Sequence, residues 1–194
     1  MATIEPTAER KVVLPLPPYT VDDLLKLPDD GNRYELFNGS LLVSPAPTKL
    51  HQLAITRLLF ILGDAAPSEL VALSTVNLRV TDKDFYIPDL VVVPEEAMHT
   101  DPLMFSPEEI ILAVEVVSPS TKMRDRGLKA AAYAAAGIPG YWRVESEEGP
   151  TLYAYELNGD SYDPPTAYKA GEVANLTVPF PVSFDPADLD RPRR

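Results

Sequence analysis

Two carboxylates lie within or directly before strongly apolar segments of the sequence. Glu115 is the charged residue within the run 110–117, IILAVEVV, and Asp89 precedes the run 90–93, LVVV. A carboxylate on a buried strand must be paired, protonated or metal-bound, because an unpaired buried charge is strongly unfavourable. Two acids at the ends of neighbouring core strands suit a hard divalent cation, so we expect Asp89 and Glu115 to share one metal ion. The alternative is that Glu115 lies at an exposed strand end and Asp89 in a turn.

A third candidate, Lys129, follows Glu115 in the chain and lies four residues after Asp125. On a helix these two residues would form a surface ion pair contributing about 0.3 kcal/mol. The functional alternative is that Lys129 points across the sheet at the metal site. The segment before it is rich in cations, which would suit a bound polyanion near a helix N-terminus or form a solvated basic face. The candidates for binding nucleic acid are Lys122, Arg124 and Arg126.

Two further polar residues are candidates for a supporting role. Glu35 alternates with apolar neighbours on a predicted amphipathic strand, so it could also face water. His51 lies in the first turn of a predicted helix and could be an exposed polar residue. The chain has 2 histidines, which excludes a multi-histidine metal site. Glycine-rich phosphate loops, the G-x-S-x-G elbow and the H-E-x-x-H motif are absent from the sequence.

Hydrophobic spacing predicts the elements that position these residues. Thr20 and Asp23 predict a capping box that opens a short helix, and Asn38-Gly39 predicts a β-hairpin. A helical repeat of apolar residues predicts a helix over 49–65 with Thr48 as its N-cap. The other predicted elements are strands at 70–74, 76–80, 87–93, 110–117 and 141–144, a helix at 121–136 and a hairpin over 152–168. This order indicates an α/β or α+β fold, in which helices pack on a mixed sheet.

Composition is that of an ordinary globular protein. Hydrophobic residues make up 45% and charged residues 24% of the 194 residues, which excludes a mainly disordered chain. The longest apolar run, 130–136, is far shorter than the about 18 residues that a membrane-spanning helix needs. The N-terminal segment does not resemble a signal peptide. Cysteine is absent, which excludes thiolate metal sites. We therefore expect a cytoplasmic protein with no membrane partner.

Charge and proline content constrain the partners and the domain limits. Acidic residues number 29 and basic residues 17, a net charge of −12, which repels nucleic acid at long range. An enzyme acting on nucleic acid must then concentrate positive charge locally or recruit a divalent metal. The 21 prolines cluster towards both ends of the chain and at 45–47. We expect a flexible proline-rich arm at 1–18, one globular domain at 19–185 and a polar tail at 186–194.

Several segments resemble a known protein family. They are RYELFNGSL at 33–41, SPAP at 44–47, PDLVVV at 88–93, VEVVSPST at 114–121, RDRGLKAAAY at 124–133 and GIPGYW at 137–142. They are similar to a large bacterial family assigned as restriction endonucleases, within the PD-(D/E)XK nuclease superfamily. The resemblance spans roughly residues 20–185, and the run from 114 to 142 is its most specific part.

The resemblance implies a restriction endonuclease-like fold, with a mixed central sheet flanked by helices, extra β-hairpins and an active site at one sheet edge. Asp89 matches the aspartate of the PD element, and Glu115 matches the acid of the second element. The usual lysine two residues later is replaced by Val117, and the resemblance places Lys129, from the following helix, in its role. A further acid and the histidine of the family match Glu35 and His51.

The implied activity is hydrolysis of DNA phosphodiester bonds with Mg²⁺ or Mn²⁺. Asp89 and Glu115 would hold the metal, which activates a water, and Lys129 would orient that water or stabilise charge on the phosphate. Restriction-type nucleases usually work in pairs, so we expect a homodimer. One alternative is a non-catalytic module that keeps the fold and binds nucleic acid or protein, which the net charge favours. Another is a metal-dependent hydrolase acting on nucleotides.

Overall fold

A computed structural model describes residues 16–28, 30–44, 46–117, 127–146 and 149–190 of the chain. Within these ranges it contains three sheets and three α-helices. In chain order the elements are α1 (Val21–Leu24), β1 (Arg33–Phe37), β2 (Ser40–Ser44), α2 (Lys49–Ala65), β3 (Leu70–Ser74), β4 (Leu78–Arg79), β5 (Phe85–Tyr86), β6 (Leu90–Pro94), β7 (Leu112–Val117), α3 (Lys129–Ala135), β8 (Gly140–Glu145), β9 (Thr151–Asn158), β10 (Ser161–Tyr162), β11 (Thr166–Lys169), β12 (Ala174–Leu176) and β13 (Val182–Phe184). Short 3-10 helices lie at Glu95–His99, Pro107–Glu109 and Pro186–Leu189.

The central sheet has seven strands in the order β10-β9-β8-β7-β6-β3, and β11 also pairs with β9. Strands β7 and β8 are parallel, whereas β3–β6, β6–β7 and β8–β9 are antiparallel. A parallel pair needs a crossover connection, and the segment that connects β7 to β8 contains α3. The mixed sheet with packed helices confirms the fold class expected from the sequence.

A second sheet has the order β2-β1-β5-β4 and includes the predicted N-terminal hairpin. Asn38 and Gly39 form its turn with φ values of 47° and 73°, the left-handed region that this residue pair tolerates. A third sheet consists of β12 and β13. The sequence analysis did not predict this pair, because both strands are short and lie in a proline-rich segment.

Both faces of the central sheet are covered, because successive side chains of a strand point to opposite faces. On one face, Leu112, Val114 and Val116 of β7 pack in a cluster with the buried side of α2. On the other face, Ala113 of β7 packs in a cluster with Tyr133 of α3. We call these the α2-side and α3-side clusters. Glu115 alternates with Val114 and Val116, so it belongs to the α3 side.

The predicted helices are present in the structure. Helix α2 has the predicted bounds, and the side chain of its N-cap Thr48 accepts a hydrogen bond from the His51 amide. Helix α1 has the predicted capping box. Helix α3 spans the C-terminal part of the predicted 121–136 helix, whose residues 121–126 lie outside the described ranges. The chain turns after α3 at Gly137, which has a φ of 79°.

Several predicted boundaries differ from the structure. The predicted strand 76–80 pairs only at Leu78–Arg79. The predicted hairpin over 152–168 forms, but the part after its turn is divided into two strands, β10 and β11. Residues 186–189 were expected in a polar tail, but they form a 3-10 helix whose Leu189 is fully buried in the α2-side cluster. Packing of this apolar side chain extends the globular unit beyond residue 185. Among the described residues, no helix has the length and apolarity to cross a membrane.

Candidate active site

Glu115 lies in the middle of the central sheet with its side chain turned towards α3. Only 3% of the residue is exposed. Its Oε1 accepts a hydrogen bond of 2.7 Å from Lys129 Nζ and another of 2.6 Å from Tyr133 Oη. The alternative that Glu115 occupies an exposed strand end is therefore wrong, and this buried carboxylate is paired with an ammonium group.

Helix α3 supplies both donors to Glu115 from one face. Lys129 and Tyr133 are four residues apart, so they lie one above the other on the same side of the helix. Lys129 is 3% exposed, and Tyr133 is fully buried. The alternative that Lys129 belongs to a solvated surface pair is wrong, because its ammonium group is inside the protein. Asp125, the predicted partner in that pair, lies outside the described residues.

Glu35 joins this group from the second sheet. Its Oε1 is 3.1 Å from Lys129 Nζ and accepts a hydrogen bond of 3.0 Å from the amide of Ile87. Glu35 is 2% exposed, so the alternative that it faces water is wrong. Phe37 of the same strand and Tyr86 pack into the α3-side cluster, and this packing turns the Glu35 face of the hairpin towards Lys129.

Asp89 lies beside this group at the start of β6 and is 7% exposed. Leu90 pairs with Val114 in antiparallel register, so the preceding residue, Asp89, comes next to Glu115. Asp89 Oδ2 accepts a hydrogen bond of 2.8 Å from the Val116 amide and is 3.2 Å from His51 Nε2. The two acids thus occupy neighbouring positions on adjacent strands, as the sequence analysis expected.

His51 reaches Asp89 because it continues the buried face of α2. It lies three and four residues before the buried Ala54 and Ile55, and its side chain is 11% exposed. Its Nδ1 is buried and has no hydrogen-bond partner among the described residues. If Nε2 donates to Asp89, the Nδ1 of a neutral imidazole is an acceptor. His51 is therefore not the exposed polar residue that the sequence left open.

Burial keeps the tyrosine beside Glu115 protonated. Loss of solvent raises the pKa of the Tyr133 hydroxyl well above its usual value, and the negative charge of Glu115 and the hydrogen bond to it raise this pKa further. The pKa of Tyr86, whose ring packs edge-on to Tyr133, is also raised, first by burial and then by Asp84. At neutral pH Tyr133 is therefore a hydrogen-bond donor, and it holds Glu115 as an acceptor.

The donor chemistry of the two acids fits a hard cation. Among the described residues, no group of three or more histidine or acidic side chains is placed to enclose a metal ion. Mg²⁺ does not need such a cage, because it usually takes one or two carboxylates and completes its shell with water and phosphate oxygens. Asp89 and Glu115 supply two buried carboxylates on adjacent strands, which matches this requirement.

Comparisons with known proteins identify the family. The sequence model of the Uma2 family, described as "Putative restriction endonuclease", matches residues 21–190. This chain belongs to the Uma2 family. No curated protein matches this chain significantly. Among solved structures, a "putative nuclease belonging to DUF820" from Anabaena variabilis matches with a TM-score of 0.71 and 16% identity, over 88% of this chain and 96% of that one. This likeness supports the restriction endonuclease-like fold.

The site also contains residues that the sequence did not single out. Tyr133 was not assigned a role, although its place four residues after Lys129 in an alanine-rich run was a usable signal. Arg33 was also missed; its Nη1 is 4.0 Å from Asp89 Oδ1, and no spacing rule links residues so far apart in sequence. The predicted nucleic-acid-binding residues Lys122, Arg124 and Arg126 lie outside the described ranges.

Proposed function

We propose that this chain is a metal-dependent endonuclease that hydrolyses phosphodiester bonds in DNA. The observation that carries this proposal is the 2.7 Å contact between Lys129 Nζ and Glu115 Oε1, both 3% exposed, next to Asp89. Burying an ammonium and carboxylates costs desolvation energy, and replacing such groups with apolar residues is often neutral or stabilising. A site that keeps them all is therefore better explained by chemistry than by stability.

Asp89 and Glu115 would hold Mg²⁺ or Mn²⁺ through their carboxylate oxygens. When bound, the metal supplies a water of lowered pKa and positive charge for a phosphoryl oxygen. The backbone amide of Val116 and the imidazole of His51 fix Asp89, while Tyr133 fixes Glu115. Lys129 is the charge stabiliser, because its ammonium can donate hydrogen bonds to the phosphate in the transition state.

DNA recognition requires local positive charge, because the whole chain carries −12. Lys122, Arg124 and Arg126 are the residues we propose for phosphate contacts. A duplex has two strands to cut, so we also propose a homodimer, acting in the cytoplasm. Light scattering at micromolar concentration tests the dimer, and a monomer mass would contradict it.

The test of the proposed function is cleavage of plasmid DNA by the purified protein. We expect nicked and linear products with Mg²⁺ or Mn²⁺ and intact plasmid with EDTA. Glu115→Gln should abolish cleavage, whereas Glu156→Gln, at an exposed position on β9, should not. Hydrolysis of bis(p-nitrophenyl) phosphate without plasmid cleavage would instead assign the site to small phosphoesters.

A non-catalytic binding module is the second candidate, and the net charge of −12 favours it. A protein that only binds a partner does not need a buried lysine between two glutamates. The plasmid assay separates the two functions when it is paired with a DNA-binding measurement in Ca²⁺. Binding without cleavage in any divalent metal would favour the module, and cleavage that requires Glu115 would exclude it.

A further inference from the structure

The ammonium group of Lys129 lies between two carboxylates that belong to different sheets. Its Nζ is 2.7 Å from Glu115 Oε1 on the central sheet and 3.1 Å from Glu35 Oε1 on the second sheet. All three side chains are 3% exposed or less. Lys129 therefore contacts both carboxylates at once, and a short movement of its flexible side chain is enough to favour one of them.

Each carboxylate has a hydrogen bond that does not depend on Lys129. The Ile87 amide donates to Glu35, and the Tyr133 hydroxyl donates to Glu115. The lysine can consequently shift its contacts from one acid to the other while both acids stay in place. A cation that binds Glu115 repels the ammonium, because like charges interact strongly in a water-poor site.

We propose that Glu35 is a positioning residue that retains Lys129 in the active site when a divalent metal binds Glu115. This inference rests on the proposed function, because it takes Glu115 as a metal ligand. In the metal-free protein Lys129 pairs with both acids. With the metal bound, Glu35 becomes its main partner, and the ammonium remains within reach of a phosphate at the metal. Without Glu35, Lys129 would pair with Glu115 alone and compete with the metal.

A double-mutant cycle tests this role without measuring cleavage. The four proteins are the unmodified chain, Glu35→Gln, Lys129→Met and the double variant. The readout is the Mn²⁺ dissociation constant from titration calorimetry in the absence of DNA, with folding checked by circular dichroism. We expect Glu35→Gln to weaken Mn²⁺ binding about tenfold or more when Lys129 is present. Lys129→Met should strengthen it, since the competing cation is gone.

The decisive comparison is the effect of Glu35→Gln in the Lys129→Met background. We expect a change of less than about twofold there, because no ammonium remains to be retained. An equal loss of affinity in both backgrounds would show that Glu35 binds the metal or acts structurally, and would overturn the inference while leaving the proposed function intact. No Mn²⁺ binding by the unmodified chain would overturn both. If Glu35→Gln does not fold, Glu35→Asp draws the carboxylate away from Lys129 by one methylene, and we then expect a smaller loss of Mn²⁺ affinity that again disappears in the Lys129→Met background.

Discussion

Tyr133 donates its hydroxyl hydrogen to Oε1 of Glu115 across 2.6 Å. Lys129 donates to the same oxygen, so helix α3 fixes one defined oxygen of this carboxylate from two points. A carboxylate with a fixed orientation binds metal and substrate in one geometry, and small losses of geometry at a reacting centre lower rates substantially. The hydroxyl of Tyr133 is thus part of the site, although it carries no charge.

Tyr133→Phe removes this hydrogen bond and little else. We expect a loss of about 1.5–3 kcal/mol in the free energy of unfolding, the usual value for a hydrogen bond to a charged group. We also expect plasmid cleavage to slow, with kcat affected more than KM. The matched control is Tyr162→Phe, which removes a hydrogen bond from a tyrosine to the carbonyl of Ile138. That variant should lose stability but keep its cleavage rate, and equal rate losses in both variants would contradict a special role for Tyr133.

Alkaline pH should destabilise the protein through its buried tyrosines. The pKa of Tyr133 is raised in the folded state above its usual value of 10.0. Below pH 10 the hydroxyl is protonated in both the folded and the unfolded chain, so Tyr133 adds no pH dependence to the free energy of unfolding. Above this pH the unfolded chain loses the proton first, and stability falls by about 1.4 kcal/mol per pH unit until the folded pKa is reached.

Denaturant unfolding between pH 8 and pH 12 measures this slope (the range is about two units on either side of the ordinary tyrosine pKa). The pKa values of Tyr86 and Tyr162 are also raised, chiefly by burial, and add to the slope. Tyr133→Phe removes one of these titrating groups, so it should reduce the slope by up to about 1.4 kcal/mol per pH unit. An unchanged slope in this variant would mean that Tyr133 does not stay protonated in the folded protein.

Lys129→Met should destabilise the metal-free protein, because it leaves Glu35 and Glu115 as uncompensated buried charges. We expect a loss of about 3–5 kcal/mol, the range measured when one partner of a buried pair is removed. Mn²⁺ should restore part of this stability by binding Glu115. Cleavage should nevertheless fall by about 10²–10³-fold, since the charge stabiliser is absent.

The control for this prediction is Lys26→Met, at a lysine whose side chain is 65% exposed and paired with Asp23. A surface pair of this kind contributes about 0–1 kcal/mol. Lys26→Met should therefore change neither the cleavage rate nor the response to Mn²⁺. If Lys129→Met behaves in the same way, Lys129 is not the charge stabiliser.

The sequence was sufficient for those parts of the fold and site that depend on local patterns. Helix α2 and the hairpin at Asn38-Gly39 follow from apolar spacing and turn chemistry, and a lone acid in an apolar strand pointed to Glu115. The contact between Glu35 and Lys129 does not follow from local patterns. It depends on how the second sheet packs against α3, through contacts such as that of Tyr86 with Tyr133. Contacts between segments that are distant in sequence produce no periodic pattern of residues, so the sequence alone does not reveal them.

Asp89 has a structural role, as the acceptor for the Val116 amide, and a proposed functional role, as a metal ligand. Two substitutions can separate these roles. Its Oδ2 accepts a hydrogen bond from the Val116 amide, which ties the start of β6 to β7, and the same oxygen is 3.2 Å from His51 Nε2. Asn at this position keeps an acceptor oxygen for the amide but has no negative charge. Ala has neither the oxygen nor the charge.

We therefore expect Asp89→Asn to unfold within about 1 kcal/mol of the unmodified protein, because the contact with Val116 persists. It should lose Mn²⁺ affinity in calorimetry and plasmid cleavage by about 10²-fold or more, because the metal ligand has lost its charge. Asp89→Ala should show the same loss of cleavage and a further destabilisation of about 1–3 kcal/mol, since a buried amide is left without its acceptor. If Asp89→Asn instead keeps both Mn²⁺ affinity and cleavage, the role of Asp89 is limited to accepting the hydrogen bond from the Val116 amide. The metal must then be held without the Asp89 carboxylate.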